Sequence, residues 1–167
     1  RSGGGGAPAP RYVCVMETHL LAVGKLRPCY REACDEYLRR LTRYGPVEER
    51  EIREAGRAAT PELRRREESA RITARLPGRA TVIVLDGTGS AWSSVELARR
   101  LEGWRLSAGP VALVIGGAFG LERALVDDAA QRWSLGPLTL PHELARVIVL
   151  EQWYRAWSIL RGEPYHK

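Results

Sequence analysis

Strand-like and helix-like segments alternate along this chain, which predicts an α/β fold: a mostly parallel sheet flanked by helices. Three observations carry that expectation. "ATVIVLD" at 80–86 and "VALVI" at 111–115 are short, continuous apolar runs, the pattern of strands covered on both faces. The segments between strands place apolar residues at three- and four-residue spacing, as helices do. The last segment, 142–160, is apolar over an arc of roughly 200°, about twice what one buried face requires.

In order, "THLLAVG" at 18–24 reads as a first strand ending at a glycine. Pro28 opens a helix to about Tyr44, with Ala33, Tyr37, Leu38 and Leu41 in helical register, and Gly45-Pro46 ends it. "VEEREIRE" at 47–54 alternates poorly and is the weakest strand. Thr60-Pro61 supplies an N-cap and first-turn proline for a charged helix to about Leu76. The strand at 80–86 closes at Asp86-Gly87, a turn pair. Ser93 or Ser94 caps a helix to about Ser107, and Gly109-Pro110 turns into the 111–115 strand. A helix over roughly 121–132, the stretch "WSLGPLTL", and a final helix from His142 to Leu160 behind Pro141 complete the chain.

At 167 residues the chain is long enough for one domain with a sizeable core. Residues 1–15, opening "RSGGGGAPAP", read as a flexible N-terminal extension or expression remnant, and 16–167 as the single domain. No apolar run approaches the length of a membrane span. Cys14, Cys29 and Cys34 form no metal-ligand spacing, so a cytoplasmic chain with free thiols and no metal is expected. From Met16 onward there are 24 basic against 20 acidic groups. The excess lies in 16–84, with 15 basic and 11 acidic, whereas 85–167 has 9 of each. A polyanion-binding surface, if present, is therefore expected on the first half, where the Arg-rich helices 28–44 and 61–76 are the candidates.

The broad apolar arc of the last helix fits either deep burial or a second chain, and a homodimer is expected in a chain of this size. The glycine corner "LVIGGAFGLE" at 113–122 raises the question of a ligand. It lacks the Gly-Lys-Ser/Thr of a P-loop, does not follow the first strand, and carries Glu122, which would repel a phosphate. Tight helix–strand packing and a phosphate or nucleotide site both remain open. Leu85-Asp86-Gly87, Gly116-Gly117 and "LGPLTL" at 135–140 all stand at strand ends, where an apolar cleft with loose backbone groups suits a flat heterocycle.

"VIGGAFGL", "WSLGPLTLPHELARVIVLEQWYRAWSI" and the terminal "GEPYHK" closely resemble the bacterial SPOUT-superfamily methyltransferases that N3-methylate a pseudouridine in helix 69 of 23S rRNA. "THLLAVGKL", "EYLRRL" and "VIVLDGTG" fit the first half of that family. The resemblance implies a C-terminal deep trefoil knot, S-adenosyl-L-methionine as methyl donor, a homodimer, and rRNA within the ribosome as substrate. It assigns cofactor contact to Leu85, Gly116, Leu135, Gly136, Pro137, Leu138, Thr139 and Leu140. Gly116 would let backbone approach the cofactor, and Pro137 removes one N–H donor. Tyr165 and His166 are implied to position the target, leaving open which group takes the N3 proton. Arg155 either faces substrate in the partner's site or pairs with Glu151 at i,i+4. Asp86 supports the site or forms a turn, and His142 caps or packs.

Overall fold

The computed structural model describes residues 15–167. Cys14 and nearly all of the expected N-terminal extension lie outside the described residues. The elements are β1 (Thr18–Val23), α1 (Pro28–Leu41), β2 (Val47–Ile52), α2 (Pro61–Thr73), β3 (Thr81–Ala91), α3 (Ser94–Leu106), β4 (Val111–Ile115), α4 (Arg123–Asp128), β5 (Gln131–Ser134) and α5 (His142–Leu160). Five strands pair in the order β2-β1-β4-β3-β5, every pair parallel.

The sheet sits between two helical layers. Leu20, Ala22, Ile83, Leu113 and Ile115 pack with α1, α3 and α5 on one face. On the other, Leu21, Val23, Val84, Ala112 and Val114 pack with α2 and α4. This division explains why β1 and β4 are buried at every position: alternate side chains enter two cores. Thr60 caps α2 by accepting from the Leu63 N–H, and Ser93 with Glu96 forms a capping box on α3.

The observed elements depart from the expected ones where local signals compete with sheet pairing. Asp86-Gly87 does turn, since Asp86 Oδ1 accepts from the Thr88 N–H, but β3 resumes and runs to Ala91. Its register against β5 slips between Leu85 and Ser90. Gly89 makes this crossing possible, because a Cβ there would stand 2.5 Å from the Arg132 carbonyl oxygen. The helix expected over 121–132 is only Arg123–Asp128, and Gln131–Ser134 is an edge strand too short to show alternation. Helices α1 and α2 each stop about one turn early.

Helix α5 occupies the expected span and lies between α1 and α3, with Val149, Leu150, Trp153, Ala156 and Trp157 buried. Its wide apolar arc is thus largely satisfied within one chain. What is left half-exposed is a narrower stripe containing Leu144, Val147, Ile148, Glu151 and Arg155. Arg146, which interrupts the arc, is fully buried. Its guanidinium donates to the Val23 and Gly24 carbonyls at 3.3 and 2.8 Å and pairs with Glu49 and Glu51 at 3.1 and 3.2 Å. One side chain thereby fixes the end of β1, the edge strand β2 and the start of α5.

Cys29 is exposed and Cys34 buried, both as free thiols. Burial, with the nearby Glu49 carboxylate, pushes the Cys34 thiol up to about 11. In a Cys14→Ser variant at neutral pH, a thiol reagent is expected to titrate Cys29 at once and Cys34 only after unfolding. Two fast-reacting thiols in the folded protein would contradict this packing.

Candidate active site

Loops leaving the carboxyl ends of β3, β4 and β5 meet the start of α5 around a cavity of about 190 Å³. Leu85, Asp86 and Gly87 form one wall, and Ile115, Gly116, Gly117 and Gly120 a second. A third is built from Trp133, Ser134, Leu135, Gly136, Leu138 and Leu140, with His142 and Ala145 of α5 behind. Ligand sites of open parallel sheets lie at this end of the strands. Of the residues the resemblance assigned to cofactor contact, Leu85, Gly116, Leu135, Gly136, Leu138 and Leu140 line the cavity. Pro137 and Thr139 are exposed and outside its lining. Leu138 is 77% exposed and stands at the mouth.

The glycines have separate physical reasons. A Cβ on Gly116 would lie 2.9 Å from the Gly120 carbonyl carbon and 3.0 Å from Leu121 Cγ. Its lack of a side chain is therefore already demanded by its own loop, which turns back through the Gly117–Gly120 bridge. Gly136, at φ +109°, holds a conformation that side chains disfavour, and its N–H donates to Ser134 Oγ at 3.2 Å.

The lining contains the Asp86 carboxylate and no lysine or arginine. A phosphate has no cation to meet there. Helix α4 offers no alternative, being 6 residues long with Glu122 at its N-cap. Asp86 does form the turn, accepting through Oδ1 from the N–H and hydroxyl of Thr88, while also facing the cavity. His142 is not a cap, since Pro141 holds that position. Its Nε2 lies 3.2 Å from where a Gly24 Cβ would be, so the ring packs on the end of β1 and walls the cavity.

The C-terminal candidates gather elsewhere. Arg155 pairs with Glu151 Oε1 at 2.5 Å and lies over the Tyr165 ring at 4.7 Å. Tyr165 donates to the same Glu151 oxygen at 3.1 Å and meets the Tyr154 ring edge-on at 4.8 Å. His166 Nδ1 is 3.5 Å from an Arg155 nitrogen. Arg155, Tyr165 and His166 thus form one cluster, and none of them lines the cavity. From His142 to Arg155 the helix advances about 20 Å at its standard rise.

A family model described as "Predicted SPOUT methyltransferase" matches residues 16–166. The chain belongs to the SPOUT methyltransferase family. A protein named "Ribosomal RNA large subunit methyltransferase H" from Rubrobacter xylanophilus is 52% identical over 91% of this chain and 99% of its own length. One of the same name from Anaeromyxobacter sp. is 45% identical over 91% of this chain and 100% of its own. Among solved structures, one titled "Structural insights into the 2-OH methylation of C/U34 on tRNA" shares the fold. It has a TM-score of 0.52 at 18% identity and covers 89% of this chain and 99% of that one.

For a SPOUT chain, the residues that sequence reasoning missed are those held by tertiary structure rather than motif. Trp133 and Ser134 enter the lining because β5 pairs with β3, and Ala145 because α5 begins against the cavity. The indole of Trp133 also stacks on Trp92 at 5.7 Å, so the same residue joins core and site. Had "QRWS" been read as an edge strand, the step from Ser134 into the 135–140 loop along the cavity would have been legible.

Proposed function

We propose that this protein is an S-adenosyl-L-methionine-dependent methyltransferase that methylates N3 of a pseudouridine in helix 69 of 23S rRNA on the assembled ribosome. It acts in the cytoplasm as a homodimer, with its C-terminal segment threaded as a trefoil knot. The observation that carries this is the cavity lining: apolar walls, backbone groups and one carboxylate without a lysine or arginine. Apolar walls suit a flat heterocycle, and a sulfonium cation suits the Asp86 side better than a phosphate does. The names of the full-length relatives support rRNA as the substrate. At about 190 Å³ the cavity is smaller than the ~300–1,000 Å³ usual for ligand sites. Admitting the whole donor requires the cavity to widen, and the exposed 137–139 stretch is its solvent-facing side.

S-adenosyl-L-methionine supplies, when bound, an electrophilic methyl group that leaves without acid assistance. The chain's residues have to hold the base at attack distance and handle the N3 proton. Burial, with hydrogen bonds to Tyr37 and Glu151, raises the Tyr165 phenol above its usual range. Tyr165 therefore keeps its proton and donates a hydrogen bond to Glu151 Oε1, orienting rather than acting as base. Arg155, anchored by Glu151, presents its guanidinium beside Tyr165 and His166.

The ~20 Å along α5 separates this cluster from the cavity of its own chain. A two-fold axis through the half-exposed stripe of α5, with the two helices antiparallel, carries the cluster of one protomer toward the cavity of its partner. The methyl-accepting base then binds between the two.

Incubating the protein and radiolabelled donor with ribosomes lacking this methyl group is expected to place label in helix 69. Label elsewhere, or none, would overturn the substrate assignment. Calorimetry should find binding of S-adenosylhomocysteine and not of ATP, GTP or NAD; the reverse order would favour a nucleotide-binding protein.

A further inference from the structure

The geometry points to a docking cradle for the RNA backbone, formed by Lys25, Arg53 and Arg57 beside the mouth of the methyl-transfer cavity. It rests on the methyltransferase function proposed above and locates the surface that receives the substrate's phosphates.

The cradle is a hollow of about 840 Å³ at the carboxyl ends of β1 and β2, and all three cations are exposed in it. Their charge is available, whereas most of the charge on the Arg-rich helices is held in ion pairs, with Arg64 over the Phe119 ring and Arg66 exposed on α2 as the exceptions among the described residues. On α1, Arg31 is held by Asp35 and Glu49, Arg39 and Arg40 by Glu36; just beyond the helix Arg43 is held by Glu163. On α2, Arg65 and Arg71 pair with Glu62 and Glu67. Among the described residues, Lys25, Arg53 and Arg57 make no ion pair. Two carboxylates share the hollow, but Glu51 is engaged by Arg31 and Arg146, leaving Glu54 against three cations.

Position supplies the second argument. Gly24 lines the hollow, and the space its side chain would take is bordered by His142, which walls the cavity. Buried Glu68 makes a second link: its Oε1 accepts from the Ala55 N–H at 2.9 Å, and its Oε2 lies 2.6 Å from where a Gly117 Cβ would be. Ala55 lines the hollow and Gly117 the cavity, so the two share a wall. No aromatic side chain lines the hollow. It therefore has nothing on which to stack bases, and its exposed cations suit phosphates, which set register without reading sequence.

The test compares the triple variant Lys25→Gln/Arg53→Gln/Arg57→Gln with Arg75→Gln/Arg79→Gln/Arg99→Gln, whose charges lie beyond α2, before β3 and on α3. Methyl transfer to ribosomes lacking the modification is measured across a salt series, with S-adenosylhomocysteine affinity measured alongside. The cradle variant is expected to raise KM for ribosomes tenfold or more and to flatten the log–log salt dependence by about 2–3. Its kcat and S-adenosylhomocysteine affinity should stay within twofold of wild type, which also shows that it is folded. An unchanged KM, or an equal rise in the control triple, overturns the cradle while leaving the function standing. Wild-type protein that transfers no methyl to these ribosomes overturns the function and the cradle with it.

Discussion

Replacing Arg146 by methionine is expected to cost the fold about 3 kcal/mol or more. In a domain of this size that is a fall in Tm of roughly 10 °C. A methionine fills much of the space, so the loss is electrostatic rather than a cavity. The Glu49 and Glu51 carboxylates would face each other with only Arg31 between them, and the Val23 and Gly24 carbonyls would lose their donor. Removing one partner of a buried pair is costlier than never having built the pair. The triple change Arg146→Met/Glu49→Leu/Glu51→Gln should therefore recover part of the loss. A single variant within 1 kcal/mol of wild type would show that the clamp is not what ties α5 to β1 and β2.

The tail is expected to govern turnover without governing donor binding. Tyr165→Ala/His166→Ala should lower kcat by a hundredfold or more, the scale of effect when a reacting group is misplaced by about 1 Å. S-adenosylhomocysteine affinity should remain within twofold, since neither residue lines the cavity. Tyr165→Phe should have a smaller effect, because the ring still meets Tyr154 and the Arg155 guanidinium while the hydroxyl's bonds to Glu151 and Tyr37 are lost. Equal loss of donor affinity and turnover would mean that the tail folds over the cavity of its own chain.

How much of this was readable from the residues depends on the range of the forces involved. The fully buried strands at 18–23 and 111–115 and the helix at 142–160 were legible, because continuous apolar runs and helical spacing are local properties. β5 was not, since four residues gain strand geometry only from pairing with β3. Asp86-Gly87 was read correctly as a turn and wrongly as a strand end, because the decisive feature is Gly89 slipping past the Arg132 carbonyl. Leu85, Gly116 and most of 135–140 were placed at a cavity through a motif. The packing demand on Gly116 was not legible, because it comes from Gly120 folding back on it. In sequence Arg146 is only an interruption of the apolar arc of α5; the approach of Glu49, Glu51 and two carbonyls makes it a clamp.

The proposal that two protomers share each active site is most directly tested by subunit complementation. Gly87→Phe blocks the cavity with little strain, because a Cβ there meets nothing within 4 Å and the residue lines the cavity. Tyr165→Ala/His166→Ala disables the tail and leaves the cavity open. Each variant alone should be nearly inactive on ribosomes. Equal amounts unfolded together and refolded should regain about a quarter of wild-type activity, since half the dimers are mixed and each mixed dimer has one intact site. A mixture no more active than its components, from dimers shown to exchange subunits, would contradict a site built from the cavity of one protomer and the tail of its partner.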